Sequence, residues 1–259
     1  GGKLKDDNIY MLLNEQATLA NFYTKGFQWL KVKNLQQGDR LFIYLAGHGD
    51  AIDEDQFFYL AYDCNPAGDK NNYLVSGAIQ MYNVKAKIQR EAAKGVEVYL
   101  IMDACRSNEL PGGAEGQGFF NSAISEKRAG EIIMLATGAG QESLEDATIG
   151  NGHGLFTWYL VDGLNGIADT DGDKDNKITV AEIQKYVQKN VPSVAQQKFR
   201  RKQDPFFCCN ENSDKVVSIV DPDYLQKWLQ SRQKSGGGNS FRGNGTRRVK
   251  IEARDTLLL

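Results

Sequence analysis

The chain is poor in the residue types that most often announce function. Its 259 residues include two histidines, four cysteines and five prolines, against 27 glycines. Four cysteines in a chain this long, with no metal-ligand spacing among them, exclude a disulfide scaffold and a cysteine-ligated zinc site. They read as reduced thiols of a cytoplasmic protein. No apolar run approaches the roughly 20 residues that span a bilayer, so no membrane association is expected. Lys and Arg total 31 against 33 Asp and Glu, which leaves no basic excess to grip nucleic acid. What is present, 41% hydrophobic and 25% charged residues, is the composition of a globular chain long enough for one extended α/β domain.

The opening GGKLKDDNIY has neither an initiator methionine nor an apolar leader, and the closing RRVKIEARDTLLL reads as cut rather than finished. Both ends are expected to continue into segments of a longer product. From Asn14 to Lys31, Leu19, Phe22, Tyr23, Phe27 and Leu30 recur at helical spacing, with Asn14 as the expected N-cap and Glu15 in the first turn. The run LFIYLA, Leu41 to Ala46, is apolar on both faces, as a strand buried in a parallel sheet must be. VEVYLIMDA, Val96 to Ala104, is a second such run after a helix-like segment closing at Gly95, and EIIMLATG from Glu131 is a third. Strands alternating with helices predict a doubly wound α/β fold with a mostly parallel sheet. GLFTWYLVDGL is expected to be a helix, and the residues from Ser231 have linker composition.

Both histidines sit in Gly-His-Gly frames, His48 after the first buried run and His153 in IGNGHGLFT. In open α/β sheets reactive groups gather at the carboxyl ends of parallel strands. The first run leads into His48 and the second into Cys105, so neighbouring strands would bring an imidazole and a thiol to one rim. A free thiol is mostly protonated near neutrality, and an adjacent base generates the thiolate that attacks a carbonyl. Gly49 can bring its N–H close to a substrate and, with the N–H of Cys105, stabilise an oxyanion. A buried, inert cysteine and a surface histidine are the alternative for each residue alone.

YLAGHGD followed one strand-helix-strand unit later by LIMDACRS resembles the caspase and metacaspase clan of cysteine peptidases, family C14, in which the histidine lies roughly 50 residues upstream of the cysteine. The resemblance implies the caspase-haemoglobinase fold, three layers α/β/α, with His48 as base, Cys105 as nucleophile and a peptide or protein as substrate. Asp103 stands where animal caspases carry glutamine, as in metacaspases, yet Arg106 stands where metacaspases usually carry histidine, a mixture that is similar to bacterial caspase-like peptidases. The family's first strand and helix would precede the first residue here. They are expected from residues or a chain beyond this sequence, and association with such N- or C-terminal segments is the expected partner interaction.

Asp103, two residues before Cys105, points by strand alternation to the same side and would line the pocket for the residue before the scissile bond. A carboxylate there favours Arg or Lys in the substrate. The polar, glycine-rich 107–130 segment is long enough for a functional loop, and its Lys127 and Arg128 are candidate self-processing sites of a zymogen. Separately, DGDKDNKITVAE fits a calcium loop, with Asp171, Asp173, Asp175 and Glu182 at positions 1, 3, 5 and 12 and the Lys177 carbonyl at position 7. Position 6 is Asn176 instead of glycine, a residue that tolerates the left-handed conformation. Calcium would be bound there and is not required for the chemistry. The resulting expectation is a peptidase domain over 1–230 and a linker over 231–259 that begins a truncated C-terminal region. The competing readings are a catalytically silent caspase-like scaffold and a calcium-binding interaction module.

Overall fold

The computed structural model describes residues 5–53, 56–65, 67, 69–104, 131–138, 141–150, 152–208, 213–234 and 255–258. Cys105, Lys127, Arg128 and the 107–130 loop lie outside the described residues. In chain order the chain forms β1 (Ile9–Tyr10), α1 (Leu19–Asn21), a π-helical turn (Phe22–Gly26), α2 (Phe27–Lys33), β2 (Arg40–Ala51), β3 (Phe57–Leu60), β4 (Ala78–Gln80), α3 (Met81–Ala92), β5 (Glu97–Ala104) and β6 (Glu131–Leu135). There follow β7 (Glu145–Asp146), β8 (His153–Gly154), α4 (Leu155–Asp162), α5 (Ala168–Thr170), β9 (Lys177–Thr179), α6 (Val180–Val194), β10 (Phe206–Phe207), β11 (Val216–Ile219), α7 (Pro222–Lys234) and β12 (Asp255–Leu258). Two compact units result, one built on Asp6–Glu142 with Phe206–Cys208 and β12, the other on Ser143–Pro205 with β11 and α7.

The first unit carries a mixed sheet in the order β1-β12-β2-β5-β6-β10. Its core is parallel: β12 with β2, β2 with β5, and β5 with β6, while β10 closes one edge antiparallel to β6. The three continuous apolar runs of the sequence are β2, β5 and β6, and their burial explains why. Every residue of β6 is buried, as is every residue of β5 after Glu97. Tyr99 stacks on Phe42 across the β2–β5 seam, ring centroids 4.4 Å apart. Each large side chain so buried contributes about 1.5–3 kcal/mol of hydrophobic stabilisation. Lys85 of α3 pairs with Glu131 of β6 at 3.8 Å, both buried.

Three expectations are corrected here. Asn14 does not cap the first long helix: it lies in a short 3-10 turn with φ +51, and Thr18 caps α1 by accepting the Asn21 N–H. The strand beginning at Leu41 does not stop at His48. It runs on to Ala51 because β3 pairs with its far half. Cys208 is disulfide-bonded, so the four cysteines are not all reduced thiols; Cys64 is free. Beside β2 lies β12, paired in parallel with it, and α7 runs from Pro222 to Lys234.

The second unit is helical around a buried polar knot. Asp162, at the end of α4 and fully buried, accepts the Tyr186 hydroxyl of α6 at 2.6 Å and the Trp228 indole N–H of α7 at 2.7 Å. Three helices are thereby fastened to one carboxylate. A short antiparallel pair, β9 with β11, borders the loop that precedes α6. Among the described residues no helix is long and apolar enough to cross a membrane.

Candidate functional site

β2 changes partner along its length. Arg40 to Gly47 pair in parallel with β5, whereas His48 to Ala51 pair antiparallel with β3. His48 is thus the first residue after β2 leaves the central sheet, at the point where the strand switches partner. The register sets Ala46 opposite Asp103 and Gly47 opposite Ala104. Side chains of facing residues in a pleated sheet share a face, and alternation returns His48 to the face of Ala46. Asp103 and His48 therefore share one face of the β2–β5 seam. His48 and Ala46 are exposed, and Asp103 is 9% exposed, which places the imidazole in reach of solvent above a nearly buried carboxylate.

The part of β2 that bears His48 is fastened from beneath by two tyrosines. Tyr59 of β3 donates its hydroxyl to the Ala46 carbonyl at 2.6 Å, and burial pushes its phenol up to about 12. A Cβ at Gly47 would fall 2.7 Å from that hydroxyl, so only glycine leaves room for the contact. Tyr73 donates to Oδ2 of Asp50 at 2.8 Å, both residues buried. Phe58, Leu60, Tyr73 and Ala78 form an apolar cluster under this extension. Sequence reasoning missed Asp50, Tyr59 and Tyr73. Asp50 could have been suspected, since it closes the GHGD block and a charged residue in a buried strand needs a partner. Gly49 is buried and faces Tyr59 in the register.

His153 occupies a different setting. It forms β8 with Gly154, which caps α4, and its ring stacks on Trp158 with 6.2 Å between centroids. That is a helix start, as the polar turn before it suggests.

The acidic loop in the second unit is built with a different register from the one expected. Carboxylate oxygens of Asp169, Asp173 and Asp175 lie within 4.8 Å of one another. Asp171, expected at position 1, points instead to Lys189, 3.3 Å from its ammonium. Glu182 accepts the Thr179 N–H and hydroxyl, each at 2.9 Å, in a capping box that starts α6. Its other oxygen faces the Asp173 N–H at 3.4 Å. Lys177 sits with its ammonium 3.4 Å from Asp175. Asn176 has φ +66, the left-handed conformation its side chain was expected to tolerate. Burial raises the Asp169 carboxyl above its ordinary range, with Glu182 and Asp175 adding to the shift, while the N–H groups of Asn176 and Asp175 oppose it.

The caspase domain, peptidase family C14, matches residues 10–217. The chain belongs to this caspase family, and its α/β sheet with a parallel core is the caspase fold. No curated protein matches the chain.

Proposed function

We propose that the protein is a cysteine endopeptidase of the caspase type, related to bacterial caspase-like and metacaspase enzymes, that cleaves after Arg or Lys. In this reading Cys105 is the nucleophile and His48 takes its proton. The thiolate attacks the scissile carbonyl, and the N–H groups of Gly49 and Cys105 hold the oxyanion. The imidazolium then returns the proton to the leaving amine, and water releases the acyl group by the same route in reverse. Asp103 receives the guanidinium or ammonium of the residue before the cleaved bond. Calcium has no part in acyl transfer by a thiolate.

The observation that supports this reading is the register of β2 on β5. Gly47 faces Ala104, the last residue of β5, and in the sequence His48 follows the one and Cys105 the other. Membership of the caspase family supports a peptide substrate independently.

The test is a set of fluorogenic peptides differing only at the residue before the scissile bond, assayed with the wild type, Cys105→Ala and Asp103→Ala. Cleavage after Arg and Lys is expected, absent in Cys105→Ala and strongly reduced in Asp103→Ala without loss of folding. A preference for Asp would overturn the pocket assignment. Undiminished turnover by Cys105→Ala would overturn the nucleophile, and inactivity of the folded wild type on every peptide would favour a silent scaffold.

A further inference from the structure

Asp169 presents an unsolved problem of charge. It is 4% exposed, and its Oδ1 is buried without a hydrogen-bond partner. A buried carboxylate oxygen without a donor costs several kcal/mol unless something positive meets it. Asp173 and Asp175 each bring a carboxylate oxygen within 4.8 Å of a carboxylate oxygen of Asp169. Three anionic oxygens this close together, one of them on a buried residue, repel unless a cation sits between them.

We propose that Asp169, Asp173 and Asp175 form a calcium site, with Asp171 outside it. The geometry fits one ion: oxygens on opposite sides of a calcium bound at about 2.4 Å stand about 4.8 Å apart, and the three carboxylate oxygens lie within that span. The donor set is all oxygen, which selects a hard cation over zinc or copper. Calcium is favoured over magnesium because three carboxylates on a curved loop meet its irregular, larger coordination shell more easily than a small octahedral one. The remaining ligands are left to water and backbone carbonyls.

The assignment departs from the spacing of the sequence motif. An acid at every second position from Asp169 to Asp175 lets the ligand register slide by two residues. Burial decides it: Asp169 is the member held inside, by the N–H groups of Asn176 and Asp175, whereas Asp171 is exposed and paired with Lys189. Glu182 is already engaged as the cap of α6. The ion would join the end of α5 to the turn that enters β9 and α6, so its effect is to stabilise this helix-loop-helix.

The experiment uses the full chain carrying Cys105→Ala, so that its outcome is independent of peptidase activity. Calorimetric titration with calcium chloride should show one site, and thermal unfolding should move to higher temperature with calcium and back with a chelator, more than with magnesium. Asp169→Asn and, separately, Asp173→Asn should each weaken calcium at least about tenfold, since affinity follows ligand charge. Asp171→Asn should bind as the parent does. If Asp169→Asn does not fold, Asp173→Asn and Asp175→Asn, both on exposed side chains, carry the same comparison. Absence of calcium heat in the parent, or loss of binding in Asp171→Asn with retention in the other variants, would overturn the assignment.

Discussion

The hydroxyl of Tyr59 and the carbonyl of Ala46 meet at 2.6 Å, two residues before His48. That bond ties β3 to the point where β2 leaves the central sheet, and it passes over Gly47. An added methyl at Gly47 would lie 2.7 Å from the hydroxyl and 3.2 Å from the ring carbon that bears it. Gly47→Ala should therefore break the bond and displace the tyrosine, at a cost of about 1–3 kcal/mol, whereas Tyr59→Phe should cost about 1 kcal/mol. The double variant should be less destabilised than the sum of the two, because both act on one contact. Chemical denaturation of the four proteins measures the coupling, and strict additivity would show that the contact does not hold β2.

The parallel core was legible because burial on both faces leaves a trace in the sequence: LFIYLA, VEVYLIMDA and EIIMLA have no polar alternation to hide. Other features left no such trace. DTLL becomes β12 only through pairing with β2, a contact between opposite ends of the chain that no local pattern encodes. Asn14 and Thr18 are both good N-cap residues, and the choice of Thr18 depends on where the chain turns, not on propensity. Asp169 and Asp171 are chemically identical candidates, separated only by which one the fold buries. His48 and Asp103 stood out in the sequence beside the ends of two apolar runs, while the tyrosines that fasten β2 did not, since their partners are a carbonyl and a carboxylate brought together by β3 and the turn before β4.

Asp162 should be the most sensitive polar position in the helical unit. Replacing it by alanine removes the acceptor of both the Tyr186 hydroxyl and the Trp228 indole N–H inside a buried site. Each donor losing its partner costs about 1–3 kcal/mol, so Asp162→Ala should destabilise by several kcal/mol. Tyr186→Phe should cost less, because it removes one of the two bonds and leaves the Trp228 N–H on the carboxylate. Urea unfolding followed by tryptophan fluorescence compares the two, and equal losses would mean that the knot is not what fastens α4, α6 and α7.

Self-processing follows from the proposed specificity combined with the position of Lys127 and Arg128 in the polar segment after Cys105. Purified wild type should accumulate fragments with new ends after one of these residues, and Cys105→Ala should remain intact. A Lys127→Ala/Arg128→Ala chain should also remain intact while retaining the nucleophile. Intact-mass measurement reads all three. Identical full-length masses for wild type and Cys105→Ala after prolonged incubation would remove self-processing from the account.

The two histidines give the sharpest division between chemistry and architecture. His48 is exposed at the switch point of β2, on the face of the seam that carries Asp103, so His48→Ala should eliminate cleavage of a basic peptide with little change in stability. His153 is packed: its ring stacks on Trp158, and its N–H donates to the Ile149 carbonyl at 2.9 Å. Alanine keeps that backbone bond and loses the stacking, worth about 0.5–1.5 kcal/mol. His153→Ala should thus lower the unfolding midpoint measurably and leave most of kcat/KM. The opposite signatures come from one physical difference, since an exposed imidazole has little packing to lose and one stacked on Trp158 contributes to packing. The decisive measurement is kcat/KM and the denaturation midpoint for both variants on the same peptide. An active His48→Ala beside an inactive, folded His153→Ala would move the catalytic base to the helix start and require a different nucleophile within its reach.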